Sequence, residues 1–218
     1  VHAPLGLVDD AGKQAQFPLS WDFTGGGSNL VVAGSPASGK SVLLATMMGG
    51  LSLRHAPGDV VFYCIDYGGG LLQGLADLPH VASVVTRVDP ERIQRTVNDV
   101  VGILNGREDL FREHGLTSMR QLRQARADGT VPRDVPADVF LVVDGWGTFR
   151  DEYDHLENTI SDVAARGQNY GVHVVLSVTQ GMQIRMRMQA AFGGRVELRL
   201  TDAFDSEFDR KLMEQVPK

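Results

Sequence analysis

Five short apolar runs punctuate the chain, at residues 30–33, 60–65, 81–85, 139–143 and 173–178. Most are continuous rather than alternating and rich in valine, the pattern of strands buried on both faces of a parallel sheet. Between them, apolar positions recur at helical spacing and predict helices over about 40–54, 90–114 and 156–170. Asp89 ahead of Pro90 supplies an N-cap followed by proline at the first helical position. Gly171 is a natural stop for the third helix. Strands alternating with helices predict a doubly wound α/β domain, a mostly parallel central sheet with helices on both faces. The stretch 128–138, with Pro132 and Pro136, reads as a loop entering the fourth strand. Ahead of the first strand, the segments GLV and FPLSW predict an edge hairpin within about 5–23, and TGGGSN reads as a tight glycine turn.

A chain of 218 residues is long enough for one large domain with a real core. Hydrophobic residues at 43% and charged residues at 22% mark an ordinary globular protein rather than a disordered one. A net charge of −6 argues against nonspecific attraction to nucleic acid or an anionic membrane. Runs such as LVVA and VFLVV are far too short to span a bilayer. The start, VHAPLGLVDD, has no basic region leading into an apolar stretch, so the expectation is a cytosolic domain. The lone Cys64 excludes an internal disulfide and a cysteine-rich metal site, and its place in VVFYCI predicts a buried thiol. The histidines are scattered without ligand spacing.

The sharpest chemical signal is GSPASGKS, which matches the phosphate-binding pattern G-x-x-x-x-G-K-[ST]. It comprises Gly34, Ser35, Pro36, Ala37, Ser38, Gly39, Lys40 and Ser41. An apolar strand precedes it and a helical pattern follows, which is the context the motif requires. The glycines let the backbone wrap phosphate oxygens, with N–H groups pointing inward at a helix N-terminus. Lys40 brings a mobile positive charge to the outer phosphates, and Ser41 offers a hydroxyl to Mg²⁺. The expected ligand is therefore a nucleotide with Mg²⁺. A second carboxylate, Asp144, ends the strand FLVVD and is expected beside the loop strand, near the metal held by Ser41. Many nucleotide-hydrolysing domains place glutamate directly after that aspartate to activate water. Here Gly145 and Trp146 follow, and Asp151 and Glu152 downstream read as solvated helix-end charges.

Taken together, IDYGGG, VFLVVDGW, AARGQNYGVHVVLSVTQ and GGRVELRLTDAFDSE resemble the FtsK/SpoIIIE group of ring motors. In that group a comparable helix–strand segment ends in a Thr-Gln pair, and the final strand resembles RVELRL. The match is closest to the EccC type of ATPase in type VII secretion, specifically its second, middle domain, and it covers nearly the whole chain. The resemblance implies a RecA-like P-loop fold and one domain over 1–218, with 1–28 as an N-terminal edge segment and 29–218 as core. Related domains continue beyond a segment like KLMEQVPK, so the chain reads as excised from a multi-domain motor. Its implied partners are neighbouring ATPase domains and, indirectly, secreted helical-hairpin proteins. It also implies a place at the cytoplasmic face of the membrane through other domains; the acidic net charge and the lack of a basic aromatic strip argue against specific nucleic-acid binding.

The resemblance also exposes departures. Active members carry glutamate where this chain has Gly145, and commonly a second arginine after the one matching Arg166, where this chain has Gln168. Such an arginine is the usual candidate for stabilising transferred phosphate in a neighbouring subunit. Arginine commonly follows the Thr-Gln pair, where Gly181 stands here. The expectation is a site that holds ATP and hydrolyses it slowly or not at all, with Gly145→Glu raising turnover in an assembled motor. The alternatives are a working ATPase whose base comes from elsewhere, and a DNA translocase. Gln180 admits two readings, a sensor of the outermost phosphate or a polar strand-end cap. Asp66 likewise either contacts metal-bound water or begins the turn YGGG. Arg120, Arg123 and Arg126 share a helix face whose default is solvation and whose sharper alternative is domain docking. Met182, Met186 and Met188 read as core or interface packing, or as a peptide groove.

Overall fold

The computed structural model describes residues 1–132 and 134–216; Arg133 in the proline loop, and Pro217 and Lys218 at the end of KLMEQVPK, lie outside the described residues. In chain order the elements are β1 (His2–Asp10), β2 (Ala15–Asp22), β3 (Leu30–Ala33), α1 (Lys40–Ser52), β4 (Val60–Asp66), β5 (Val81–Thr86), α2 (Pro90–Glu113) and α3 (Met119–Ala127). They continue with β6 (Asp138–Asp144), α4 (Trp146–Glu152), α5 (Asp154–Gly167), β7 (Val172–Val178), α6 (Met186–Gln189), β8 (Gly194–Glu197) and α7 (Arg210–Glu214). The five predicted strands and three predicted helices are all present, each within a few residues of its expected bounds.

The central sheet runs β5-β4-β6-β7-β3-β8, and every pair in it is parallel. Alternation sorts its residues between two cores. Val139, Leu141 and Val143 of β6, with Val172, Val174, Leu176 and Val178 of β7, pack under α2 and α5 through Ile93, Val97, Leu104, Ile160 and Val163. Phe140, Val142 and Val175 face the other way, onto Leu44, Met47, Met48 and Leu51 of α1. Strands enclosed on both faces need apolar residues at every position, hence the unbroken runs. Cys64 lies in the α1-side core, as expected, and burial pushes its thiol pKa up. Asp89 caps α2 by accepting the Arg92 N–H at 3.1 Å, with Pro90 in the first turn.

The N-terminal hairpin corrects an expectation. β1 and β2 pair antiparallel as a separate two-stranded sheet and do not extend the central one, whose edges are β5 and β8. Ala3 and Leu5 of β1 lie in the core with α1, so this helix is sandwiched between two sheets. That position explains why α1 carries apolar residues on most of its surface, beyond the buried Leu44, Met47, Met48 and Leu51.

The arginine face on α3 also departs from expectation. Arg120 is exposed, but Arg123 clamps Asp138 through both carboxylate oxygens at 2.8 and 2.9 Å. Arg126 is buried, donating to Asp59 at 2.8 Å and the Gly58 carbonyl at 2.7 Å. Asp138, at the start of β6, also meets His173 of β7 at 3.1 Å. Burial pushes the Asp138 pKa up, but the His173 contact and Arg123 outweigh it, holding the carboxyl below its ordinary value of 3.8. A carboxylate whose folded pKa is depressed contributes stability that is present above its unfolded value and lost as pH falls through the folded one. The stability gap between the wild-type chain and Asp138→Asn, measured by urea midpoints, should therefore close as pH drops below about 4. A gap that stays constant down to pH 2.5 would show that the carboxylate charge is not what the cluster uses.

A second buried cation anchors the loop before β6. Arg107 of α2 donates to the carbonyls of Pro136, Ala137 at 3.0 Å and Tyr170 at 2.7 Å. Burial lowers its pKa to about 10, against the attraction of Asp138, so it stays charged at neutral pH. Arg107→Met would strand these carbonyls without a donor. It should lower unfolding free energy by about 2–4 kcal/mol, and a loss under about 0.5 kcal/mol in urea denaturation would show that other donors replace it.

Candidate nucleotide-binding site

All parallel strands end at one edge of the sheet, where the phosphate-loop residues, Asp66, Asp144 and Gln180 gather, whereas Arg166 and Gln168 lie before the start of β7 at the opposite edge. The loop from Gly34 to Ser41 leaves β3 at this edge and opens α1. Its first two residues are tied down: Gly34 N–H donates to Val178 O at the end of β7 at 3.0 Å, and Ser35 N–H to Arg199 O, just past β8, at 2.8 Å. Ala37 takes the left-handed conformation at φ 59°, and Gly39 does so at φ 100° as the helix cap. A non-glycine residue there is strained, which is common at ligand-gripping loops. Among the described residues, the N–H groups of Ala37, Gly39, Lys40 and Ser41 have no acceptor within the chain, and the buried Ser38 hydroxyl has no partner. Unsatisfied donors in a loop that opens a helix are what an anion would satisfy.

Lys40 folds back over this cradle, its ammonium donating to Gly34 O at 2.7 Å and Ser35 O at 2.8 Å. Burial lowers its pKa while Asp144 opposes the shift. Ser41 donates to Asp144 Oδ2 at 2.5 Å. The other carboxylate oxygen, Oδ1, accepts the Ser177 hydroxyl, which itself accepts the Gly145 N–H at 2.7 Å.

The strand order corrects one detail. Asp144 was expected on the strand beside the loop strand, yet β7 lies between β6 and β3. The carboxylate still reaches Ser41 because of register. Asp66 pairs with Asp144 across β4 and β6, and Val143 with Leu176 across β6 and β7. Asp66, Asp144 and Ser177 therefore form one row on the α1 face, and the first turn of α1 lies over it.

Asp66 resolves in favour of the turn. Its carboxylate accepts the N–H groups of Gly68 and Gly70, each at 3.1 Å, and of Leu72 at 2.9 Å. The YGGG turn is thereby drawn over Asp144: a Cβ on Gly68 would lie 1.9 Å from Asp144 Oδ2. Gln180 follows β7 at the same edge, and its amide donates to Asp205 at 2.7 Å. Arg166 is held within α2 and α5 by Glu108, Asp162 and Asn105. Gln168 donates to Ala191 O at 2.8 Å. Glu152 accepts from Tyr67 at 3.0 Å and pairs with Arg87 at 3.0 Å, and Asp151 pairs with Arg150 at 2.9 Å. Met182 and Met186 are exposed, whereas Met188 is buried in the core beside α5.

Ser177 was missed. It is the polar residue in the otherwise apolar run VVLSV, and that single interruption near a strand end was the available signal.

Gly145 is more than an absent side chain. It caps α4 at φ 83°, and a Cβ there would lie 3.0–3.1 Å from Cβ, C and O of Tyr67. The position where the sequence reading expected a glutamate here sits in a backbone state that disfavours any side chain. Gly145→Glu should thus cost about 1–2 kcal/mol of stability from the left-handed backbone. It should leave ATP turnover unchanged, contrary to the sequence expectation. Thermal unfolding together with a phosphate-release assay checks both, and faster turnover with unchanged stability would defeat the claim.

The parallel sheet, the loop after its β3 strand and the Lys40–Ser41–Asp144 constellation define a RecA-like P-loop fold. The FtsK/SpoIIIE family pattern matches residues 9–217, and the chain belongs to the FtsK/SpoIIIE family. It is 47% identical over 218 residues to the ESX secretion system protein EccC of Thermomonospora curvata, covering 100% of this chain and 17% of that protein. The ESX-1 secretion system protein EccCb1 of Mycobacterium tuberculosis is 38% identical over 208 residues, 94% of this chain and 35% of that protein. The chain thus spans only a minor part of these relatives. The solved cytoplasmic domain of the Thermomonospora curvata type VII secretion ATPase EccC superposes with a TM-score of 0.95 at 47% identity, over 100% of this chain and 25% of that one. A structure of ATPases 2 and 3 of the same EccC, in complex with a signal sequence peptide, gives the same TM-score of 0.95 and covers 39% of that chain. The cytoplasmic domain of EssC shares the fold at a TM-score of 0.80 and 20% identity. No helix among the described residues is long and apolar enough to cross a membrane.

Proposed function

We propose that the chain is the second ATPase-type domain of an EccC-like type VII secretion motor, binding ATP with Mg²⁺ and hydrolysing it slowly or not at all. The observation that carries this reading is the pairing of a complete phosphate cradle with Gly145 in the left-handed state beside Asp144. The open amides of the loop would bind phosphate oxygens. Lys40 would trade its two carbonyl contacts for the outer phosphates. Mg²⁺, when bound, would neutralise phosphate charge, and Ser41 and Asp144 would hold it; the direct hydrogen bond between them marks where its ligands meet. Asp144 is already anchored on its far side by Ser177, so it keeps its aim when Ser41 turns away.

Hydrolysis needs an oriented water and a charge to stabilise transferred phosphate. Gly145 offers no carboxylate for the first. Arg166 is occupied within its own domain and Gln168 is neutral, so the second has no evident source here. Losing a general base alone costs about 10²–10⁴-fold. ATP then acts as a bound ligand that stabilises the domain in proportion to its saturation. We extend the reading to the whole protein: one domain, with 1–28 as an appended hairpin and 29–218 as core, stacked on neighbouring ATPase domains. It would meet secreted helical-hairpin proteins only through them, and would lie at the cytoplasmic face of the membrane without binding specific nucleic acid. Gln180 would sense the outermost phosphate by exchanging its Asp205 contact.

Calorimetry with ATP and Mg²⁺ should give saturable binding to the unaltered chain and none to Lys40→Ala, with turnover well below about 1 s⁻¹, the low end of common enzyme rates. Unchanged affinity in Lys40→Ala would remove the site assignment. Turnover at or above that rate would remove the claim of degenerate hydrolysis.

A further inference from the structure

We propose that Ser177 is the positioning residue that sets the Mg²⁺ dependence of nucleotide binding, acting through Asp144. The inference rests on the ATP·Mg²⁺ reading above.

The hydrogen-bond directions around Ser177 are fixed by chemistry. A backbone N–H can only donate, so Gly145 N–H gives its proton to Ser177 Oγ at 2.7 Å. The hydroxyl has one proton of its own, and it donates that proton to Asp144 Oδ1. Oδ1 is thereby committed and Oδ2 is left to face Ser41. Ser177 is fully buried and Asp144 is 1% exposed, so no bulk water stands ready to replace the hydroxyl. The YGGG turn blocks the carboxylate from swinging away, since the Gly68 backbone packs directly on Oδ2. The carboxylate is thus held from behind by a hydroxyl, from above by a glycine turn, and in front by the serine expected to share the metal.

Removing the hydroxyl strands two buried groups at once, Oδ1 of Asp144 and the Gly145 N–H. Oδ2 loses its fixed aim, and the effect falls on the metal before it falls on the phosphates. The phosphate contacts come from the loop between Gly34 and Ser41, which Ser177 does not touch in the described hydrogen bonds. Groups behind a metal ligand typically change metal affinity by about 10–100-fold. A residue that merely packs the sheet would weaken nucleotide binding alike with and without metal.

The test is ATP affinity by calorimetry on the full chain, in excess Mg²⁺ and in EDTA. For Ser177→Ala we expect the affinity in EDTA to stay within about twofold and the gain conferred by Mg²⁺ to shrink by about tenfold or more. Ser177→Thr and Ser177→Val are nearly equal in volume and differ by a hydroxyl against a methyl; threonine should keep the gain and valine should lose it. This pair also carries the test if Ser177→Ala folds poorly. Equal weakening in both conditions, or threonine and valine behaving alike, overturns the proposal and leaves nucleotide binding standing. Failure of the unaltered chain to bind ATP in either condition instead overturns the reading beneath it, and this inference with it.

Discussion

The carboxylate of Asp144 is the point on which the edge of the sheet depends. It ends β6, and its two oxygens tie that strand to α1 through Ser41 and to β7 through Ser177. Its own carbonyl accepts the Tyr67 N–H at 2.8 Å, tying in the turn after β4. A buried carboxylate without such partners would cost several kcal/mol. The donors around it are therefore structural necessities before they are functional ones. The same necessity fixes the geometry in which a cation could replace the direct contact with Ser41.

That convergence follows from parity. In each central strand alternate residues belong to opposite cores, so a polar residue at a strand end can reach only one of them. Asp66, Asp144 and Ser177 share the α1 face with Phe62, Phe140 and Val175. A one-residue slip in β6 would turn Asp144 toward α2 and α5, into a wholly apolar layer. Register is strongly specified where both faces are buried, and the two aromatic and aliphatic cores thus aim the site. At the opposite edge the same rule places Asp138 and His173 on the α1 face, where Arg123 of α3 closes the cluster.

Most of this was legible in the chain because the informative signals were local. Continuous valine-rich runs, an Asp-Pro helix start and GSPASGKS each depend on neighbours within a few residues. What escaped depended on distant partners. The arginines of α3 looked solvated because Asp59 and Asp138 lie far along the chain from one or both of them. The hairpin was read as such but placed at an edge, since nothing in GLV or FPLSW encodes docking onto α1. β8 alternates polar and apolar residues as a strand at a sheet edge does, and was legible only through the resemblance of RVELRL. Ser177 stood in view as one hydroxyl in an apolar run, but its meaning required knowing that β7 separates β6 from β3.

The glycine after Asp144 is therefore a matter of backbone conformation as well as of a missing side chain. If Gly145 were a recent loss on an otherwise unchanged frame, its φ would suit any residue and the space beside it would be open. Instead φ is 83°, and the Tyr67 backbone approaches to within 3.0–3.1 Å of where Cβ would stand. The Gly145 N–H is meanwhile spent on Ser177, which orients Asp144. Restoring a carboxylate there would push on the turn that covers Oδ2 and on the amide that fixes Ser177, both supports of the proposed metal site. In the proposed reading, binding and water activation thus compete for the same few atoms, and the arrangement around Asp144 favours binding.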